Sequence, residues 1–237
     1  MHKNRFITVS VLASLVWLVS CLSINNGELA DSEISSSSAQ SNSSSAVVKV
    51  TFTDDRDSNT YRIVKIGTQV WMAENLRYLP NVHGVEYSYD EPKYYVYEYT
   101  GARLAEAKTS SYYQKYGALY NWPAALEACP AGWHLPTNAE WSALEDYVGS
   151  NAGKKLKATS GWFNDSNGTD AYGIGLLPGG YFNGDYFYSE PFDGKWWSAA
   201  EGITYRASIR VLGYDSYTLG RGSPNSPSGL SVRCVED

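Results

Sequence analysis

The chain has 237 residues with 19 basic and 25 acidic side chains, so its formal net charge at pH 7 is −6. This acidic balance argues against nucleic acid or an anionic membrane face as a partner, because both favour a basic patch. Residues 47–237 are enough for one domain with a substantial core.

Residues 1–20 have the pattern of a bacterial lipoprotein signal peptide. A basic start at 2–5 precedes an apolar run at 6–18, which is too short to remain as a membrane-spanning helix. Leu-Val-Ser-Cys at 18–21 matches a lipobox, so we expect cleavage before Cys21 and lipid attachment to Cys21. An ordinary signal peptide with a coincidental cysteine is the alternative.

The residues around and after Cys21 predict a destination and a tether. No aspartate stands beside Cys21, which favours the outer membrane of a Gram-negative cell, with the domain facing the periplasm or the cell surface. Nine of the fifteen residues at 32–46 are serine, a composition that cannot bury enough apolar surface to fold. We therefore expect a disordered tether at 21–46 and a folded domain at 47–237.

A β-hairpin is predicted near the start of the domain. Residues 61–66 and 69–72 are rich in β-formers, and Gly67-Thr68 between them suits the turn. The tyrosine-rich segment 82–100 then predicts a strand or an ordered loop. Short helices are expected at two places after it, 102–107 and 119–128.

The clearest helix signal lies near the middle of the chain. Thr137 and Glu140 form a capping box, which starts a helix at a fixed residue. Gly149 or Gly153 is expected to follow its end. The apolar residues that recur at helical spacing within it are Trp141, Leu144 and the pair Tyr147 and Val148.

Turns and short strands make up the C-terminal third. A turn-rich loop at 162–170 and a Pro-Gly-Gly corner within 176–182 come first. Three strands are predicted after them, at 196–199, 204–212 and 230–235. Strands separated by turns in this way indicate an antiparallel sheet.

Two cysteines lie in the predicted domain, Cys129 before the capped helix and Cys234 in the last predicted strand. In an exported protein an even pair favours a disulfide over two free thiols. The bond would tie the C-terminal strand to the entry of the capped helix. In a chain-entropy description it would stabilise the domain by about 4–5 kcal/mol.

Several motifs resemble those of a known family. In chain order they are V-K-I-G-T-Q-V-W-M-A-E-N-L at 64–76, Y-G-A-L-Y-N-W at 116–122, C-P-A-G-W-H-L-P-T-N-A-E-W at 129–141, L-P-G-G-Y at 177–181, W-W-S at 196–198 and S-V-R-C-V at 231–235. Together they resemble the signature of the Fibrobacter succinogenes major paralogous domain, a family of bacterial surface proteins. The segment L-P-T-N-A-E-W is also similar to the formylglycine-generating enzyme family, whose fold resembles the C-type lectin fold. The resemblance implies an α+β domain that is C-type-lectin-like or formylglycine-generating-enzyme-like, with an antiparallel sheet and short helices.

One loop is a candidate for metal binding. Asp165, Asn167 and Asp170 place oxygen ligands around Gly168, a pattern that calcium loops use because Ca²⁺ takes several hard oxygens. The same residue types are ordinary turn formers. The sugar-binding calcium triplets of C-type lectins are not matched, since Glu-Pro-Phe-Asp at 190–193 is only a partial echo. We expect no cofactor, with Ca²⁺ at this loop as the weaker alternative.

Catalysis is not expected. The formylglycine-generating family works through a thiol-bound copper site that needs two reduced cysteines, whereas Cys129 and Cys234 are predicted to be bonded. His134 lies within the capped-helix motif and is interpreted as a packed or hydrogen-bonded residue, not a base. No nucleophile-elbow spacing gathers the serine and acidic residues.

The abundance of tyrosine points to binding. Tyrosine and tryptophan give rigid contact area with a polar edge, which suits stacking against sugar rings or contact with a protein surface. The candidates are Tyr181, Tyr186, Tyr188, Tyr205, Tyr214 and Tyr217. For each of them, packing that only orders a loop is the alternative.

These inferences predict a surface-anchored lipoprotein whose lectin-like domain binds polysaccharide or another surface protein without catalysis. The alternatives are an enzyme on a formylglycine-generating-like scaffold and a structural envelope protein. A concave cleft with converging titratable groups would favour the enzyme, and an exposed patch of tyrosines would favour binding.

Overall fold

Short strands and short helices alternate along the chain in the computed structural model, which describes residues 50–199, 207–223 and 227–237. The strands are β1 Thr51–Thr53, β2 Thr60–Ile66, β3 Gln69–Met72, β4 Tyr94–Tyr95, β5 Leu119–Tyr120, β6 Trp133–His134, β7 Tyr181–Phe182, β8 Phe187–Tyr188, β9 Asp193–Ser198, β10 Ser208–Gly213, β11 Gly220–Gly222 and β12 Val235–Glu236. The helices are α1 Leu104–Thr109, α2 Ser111–Tyr116, α3 Trp122–Leu126, α4 Asn138–Val148 and α5 Ala152–Leu156, with a 3-10 turn at Phe163–Asp165. The predicted signal peptide, the lipidation site Cys21, the tether and the candidate Tyr205 lie outside the described residues.

The C-terminal strand β12 lies inside a five-stranded antiparallel sheet, in the order β1-β2-β3-β12-β6. Val235 of β12 pairs with Trp71 of β3 on one side and with His134 of β6 on the other. The predicted hairpin is confirmed as β2 and β3, which turn at Gly67 with a φ of 62°. The end of the chain therefore completes the sheet that the first strands begin.

The predicted disulfide between Cys129 and Cys234 is confirmed, with the sulfurs 2.08 Å and the Cα atoms 5.9 Å apart. Cys234 is fully buried directly before β12, and Cys129 precedes β6. The bond spans 105 residues of sequence. It joins the end of the chain to the segment that leads into helix α4.

The predicted capping box begins helix α4. Thr137 Oγ1 accepts the backbone N–H of Glu140 at 3.2 Å, and Glu140 Oε2 accepts the backbone N–H of Thr137 at 2.7 Å. The helix ends before Gly149, whose φ is 72°. Its buried side chains are Trp141, Leu144 and Val148.

Tyr147 does not belong to the buried face of α4, contrary to the prediction. The Tyr147 side chain is 59 % exposed, whereas Val148 is the last buried residue of the helix. The Tyr147 ring lies beside Gly67 and contacts Tyr172, with ring centroids 6.1 Å apart. Helical spacing alone does not determine which of two adjacent apolar residues at the edge of a helix's apolar face is buried.

Three groups of buried apolar side chains form the core of the described residues. One contains Trp197, a second contains Trp71, Trp141 and Trp196, and a third, smaller one contains Tyr95 and Phe182. The rings of Trp71 and Trp141 are tilted, with centroids 4.7 Å apart, a separation at which aromatic pairs are stabilising. Around this core the described residues form antiparallel sheets with short helices, so the predicted α+β character is confirmed.

The helix predicted at 119–128 is wrong in its first part. Leu119–Tyr120 is strand β5, paired with β4, and only Trp122–Leu126 is helical. The side chain of Asn121 accepts the backbone N–H of Ala124, so it caps the helix and fixes its start. In the tyrosine-rich segment 82–100, strand β4 is the only regular secondary structure, and the rest is loop.

The strand predicted at 230–235 is also mostly irregular. Only Val235 of this range lies in a strand, while Leu230 and Ser231 make isolated bridges. The carbonyls of Val232 and Cys234 accept N–H groups from the end of β3 and the residues after it. Of the strand predicted at 204–212, residues 204–206 lie outside the described residues, and strand β10 begins at Ser208.

The other predicted helix is shifted, and one helix was not predicted. Helix α1 is Leu104–Thr109 and not 102–107. Ser110 accepts the N–H of Tyr112 and starts a second helix, α2, which the sequence reasoning missed. No helix in the described ranges combines the length and the apolarity that crossing a membrane requires.

The Pro-Gly-Gly corner places hairpin β7–β8 beside the three-stranded sheet β11-β10-β9. Gly180 has a φ of 62°, and a Cβ there would overlap the carbonyl oxygen of Tyr188 and approach the ring of Tyr97. Gly180 also bridges to Gly194 of β9. Only glycine satisfies both the left-handed backbone and the close approach.

Candidate functional site

Hairpin β7–β8 carries three of the predicted tyrosines on one face. Tyr181 and Tyr188 are partners across the two strands, with ring centroids 5.9 Å apart. Tyr186 lies at the turn, edge-on to Tyr188 with centroids 6.4 Å apart. Tyr186 is 68 % exposed and Tyr188 is 41 % exposed. Together Tyr181, Tyr186 and Tyr188 form the hairpin face.

The opposite side of the hairpin anchors it to the domain. Phe182 and Phe187 alternate with the tyrosines along the two strands, so they point the other way. Phe182 is fully buried against Tyr95, with ring centroids 4.5 Å apart. Phe187 packs on Tyr97 at 5.4 Å. The exposed rings are therefore carried by a backbone that is fixed from below.

The turn and the base of the hairpin face are also ordered. Asn183 Oδ1 accepts the backbone N–H groups of Asp185 and Tyr186. At the base, Lys195 Nζ of β9 lies 3.4 Å from the centroid of the Tyr181 ring, a cation–π contact. Burial lowers the pKa of Lys195, and burial raises the pKa of Tyr181. The hairpin face thus combines stacked rings with one basic group.

A second aromatic set consists of the exposed Phe163 and Phe192 and the half-buried Tyr214, which together form the three-ring cluster. Their ring centroids are 4.3 Å apart for Phe163 and Phe192, 5.4 Å for Phe163 and Tyr214, and 5.8 Å for Phe192 and Tyr214. Phe163 is 40 % exposed and Phe192 is 39 % exposed. Lys157 Nζ donates to the Tyr214 carbonyl at 2.6 Å, and burial lowers the pKa of Lys157 to about 8.

A short loop joins the two aromatic sets. The carbonyl of Ser189 accepts the N–H groups of Phe192 and Asp193, and the carbonyl of Pro191 accepts the N–H of Phe163. Sequence reasoning missed Phe163 and Phe192. Both residues are large apolar rings inside turn-rich segments, 162–170 and 189–193, where polar residues are usual. This contrast could have identified them as candidate binding residues.

The remaining candidates lie elsewhere. Tyr217 is 59 % exposed, and within the described ranges its ring contacts neither aromatic set. Tyr205 lies outside the described residues. The structure therefore gathers three of the six predicted tyrosines on the hairpin face and places Tyr214 in the three-ring cluster.

Two side chains of the candidate calcium loop bond to the backbone. Asn167 Oδ1 accepts the N–H of Trp162 at 3.0 Å, and Asp170 Oδ1 accepts the N–H of Gly175 at 2.7 Å. Asp165 is exposed, with a φ of 53°. In the part of the chain that the structure describes, no three His, Cys, Asp or Glu side chains gather so that they could hold a metal ion. Hydrogen bonds to the backbone of the loop account for Asn167 and Asp170. Calcium binding stays a prediction.

His134 lies between two carboxylates at the start of α4. Its Nδ1 is 2.8 Å from Asp237 Oδ1, and its Nε2 is 2.7 Å from Glu140 Oε1. Burial alone would lower the pKa of His134, but the hydrogen bonds to these carboxylates raise it. This arrangement gives the histidine a role in holding the helix cap to the C-terminus.

Comparison with known proteins identifies the family. Residues 64–236 match the sequence profile of the Fibrobacter succinogenes major domain. No curated protein and no solved structure matches the chain. The matched range is well over half of the sequence and contains both the hairpin face and the three-ring cluster. The chain therefore belongs to the Fibrobacter succinogenes major domain family.

Proposed function

We propose that this protein is an exported, lipid-anchored binding protein whose hairpin face binds polysaccharide without catalysis. The observation that carries the proposal is the outward presentation of Tyr186 and Tyr188, beside the half-buried Tyr181, by a hairpin whose other side is packed into the domain. A tyrosine that only orders a loop turns its ring inward. Tyr186 and Tyr188 turn theirs to solvent.

The chemistry of the hairpin face suits sugar rings. A tyrosine ring offers a flat apolar surface for the C–H face of a sugar, and its hydroxyl and nearby polar groups can bond the sugar hydroxyls. Lys195 and Asn183 lie at the base and the turn of the same hairpin. Because Phe182 and Phe187 fix the strands, little conformational entropy would be lost on binding.

The three-ring cluster extends the proposed surface. The loop at 189–193 connects it to the hairpin face, and we propose that a chain of several sugars contacts both sets. Each exposed aromatic ring adds stacking area without requiring a deep pocket. This arrangement favours a polymer over a single small sugar.

The state of the cysteines supports a non-catalytic role. Cys129 and Cys234 are bonded to each other, so neither is a free thiol for copper chemistry of the formylglycine-generating type. The lectin-like architecture and the lipid on Cys21 are parts of the same proposal. They are supported by the motifs at 129–141 and 18–21.

The binding proposal is tested by affinity electrophoresis of the purified protein in gels that contain neutral plant or bacterial polysaccharides. We expect retardation by at least one polysaccharide and its loss in the double variant Tyr186→Ala/Tyr188→Ala. Tyr147→Ala is the matched control, because Tyr147 is equally an exposed tyrosine but lies on α4. Retardation that survives the double variant would refute the hairpin face as the site. Capture of a surface protein in place of a polysaccharide would favour the protein-binding alternative.

The anchor is tested separately. Cells grown with a radiolabelled fatty acid are expected to label the protein, and Cys21→Ser is expected to abolish the label and release the protein from the membrane fraction. Labelling that persists in Cys21→Ser would show that the lipobox prediction is wrong.

A further inference from the structure

A polar cleft of about 320 Å³ opens between the end of β3, helix α2 and the segments that follow α5. Its size is near the lower end of the range for small-molecule sites. Of the predicted binding tyrosines that the structure describes, none lines it. The charged side chains that line it are Arg62, Glu74, Arg77, Lys115 and Asp170.

The cleft is locally basic in an acidic protein. Three basic and two acidic side chains line it, whereas the whole chain has a net charge of −6. A further cation, Arg233, is fully buried close by and donates to the carbonyls of Ile174 and Gly175. Gly175 itself lines the cleft. The field in the cleft therefore favours an anion.

Some of these charges are already paired. Glu74 bonds to Arg62 at 3.2 Å and to Arg77 at 2.6 Å. Lys115, by contrast, makes no ion pair with any described residue, and its Nζ lies 4.6 Å from the centroid of the Tyr116 ring. Lys115 is exposed on a short helix, and its ammonium makes no hydrogen bond to any residue in the described ranges. Its ammonium is available to a ligand.

A second group of atoms converges at Gly175. A Cβ on Gly175 would lie 3.7 Å from Asp170 Oδ2 and 3.8 Å from Arg62 Nη2. Asp170 Oδ1 accepts the backbone N–H of Gly175, while Asp170 Oδ2 has no hydrogen-bond partner within the described ranges. The absence of a side chain at Gly175 therefore leaves space beside one free carboxylate oxygen and one guanidinium.

We propose that this cleft binds a small hydroxylated monocarboxylate of the sugar-acid class, with Lys115 and Arg62 contacting the carboxylate and Asp170 Oδ2 accepting a hydroxyl. Arg62 Nε donates to Glu74 Oε1 and Nη2 donates to the Ala73 carbonyl, so Nη1 and the second Nη2 hydrogen form the edge of the guanidinium that a ligand carboxylate would contact. A phosphate dianion would place an additional negative charge beside Glu74 and Asp170, which disfavours it. A neutral sugar would leave the Lys115 charge without a partner.

Isothermal titration calorimetry of the purified protein with glucuronate, glucose and inorganic phosphate tests the ligand class. We expect glucuronate to bind about tenfold or more tightly than glucose, because glucose lacks the charged group. Equal affinities for glucuronate and glucose would overturn the proposal. Tighter binding of phosphate than of glucuronate would overturn the assignment to a carboxylate.

Two matched variants test the site. Lys115→Gln is expected to weaken glucuronate binding about tenfold. Lys65→Gln is the control, because Lys65 is exposed on β2 at an odd spacing from Arg62 and so points to the other side of the strand. Unchanged affinity in Lys115→Gln, or an equal loss in Lys65→Gln, would overturn the proposal.

This inference does not depend on the hairpin face. The double variant Tyr186→Ala/Tyr188→Ala is expected to bind glucuronate like the unaltered protein. If that variant loses glucuronate binding, the carboxylate site is at the hairpin and the assignment to the cleft is wrong.

Discussion

His134 and Glu140 connect a strand to a helix cap through one carboxylate. His134 Nε2 lies 2.7 Å from Glu140 Oε1, while Glu140 Oε2 accepts the backbone N–H of Thr137 at 2.7 Å. The other ring nitrogen of His134 lies 2.8 Å from Asp237. The cap of α4, strand β6 and the end of the chain therefore share a single charge network.

This network predicts a pH-dependent contribution to stability. Burial opposes ionisation of both groups, but the hydrogen bonds dominate, so the pKa of His134 is raised and the pKa of Glu140 is lowered. The contribution of His134 is fully present below its unfolded pKa of about 6.5 and is lost as pH rises through its folded pKa. The contribution of Glu140 is present above about pH 4.3 and is lost as pH falls through its folded pKa.

We expect His134→Gln to lower the free energy of unfolding by about 1 kcal/mol near pH 5.5, a modest value because the side chain is partly exposed. The loss should shrink at about pH 9. Urea denaturation at both pH values measures it. His83→Gln is the control, because burial lowers the pKa of His83 and its effect on stability should change with pH in the opposite direction. A loss from His134→Gln that is the same at both pH values would contradict the network.

The disulfide is expected to contribute a large share of the stability. Replacing both Cys129 and Cys234 with alanine should reduce the free energy of unfolding by about 4 kcal/mol, because the bond restricts a long loop in the unfolded chain. Guanidinium denaturation measures the change. The unaltered protein in strong reductant is the control and should lose a similar amount. A difference below about 1 kcal/mol would show that the loop is already restricted in the unfolded state.

Local chemistry explains which elements could be predicted from the sequence. The start of α4 is determined by the side chains of Thr137 and Glu140, and the hairpin turn by Gly67, so short motifs were sufficient. The start of α3 is also determined locally, by Asn121. Because the apolar residues Tyr120 and Trp122 flank Asn121, the cap was not recognised and the helix was predicted to begin too early.

Long-range packing explains what could not be predicted. Nothing in the local sequence shows that Tyr188 is exposed while Phe182 on the facing strand is buried, because the choice depends on Tyr95 packing beneath the hairpin. The cleft brings Arg62, Lys115 and Asp170 together from segments far apart in the chain. Such a convergence has no signature within any one segment.

Arg233 is expected to resist even a conservative change. Its Nη1 donates to the carbonyls of Met72 and Ile174, and its Nη2 donates to Asn75 Oδ1 at 2.8 Å. Arg233→Lys should cost about 3 kcal/mol, because one ammonium cannot reach all of these buried acceptors. Urea denaturation measures the cost. Arg103→Lys, at an 80 % exposed side chain, is the control and should be neutral. Equal stability of the two variants would show that water replaces the lost hydrogen bonds.

Gly180 is expected to be the glycine most sensitive to substitution at the base of the hairpin face. A Cβ there would overlap the Tyr188 carbonyl and the Tyr97 ring. The backbone φ of 62° is in addition unfavourable for any residue with a side chain. Gly180→Ala should therefore cost more than about 3 kcal/mol. Gly132→Ala separates the two causes. Gly132 has a φ of 81°, and apart from its chain neighbours no atom of the described residues lies within 4 Å of its Cβ position. Gly132→Ala should cost about 1 kcal/mol. Thermal denaturation compares them. Similar costs in both variants would mean that backbone strain alone matters, and that the corner does not hold the hairpin by close contact.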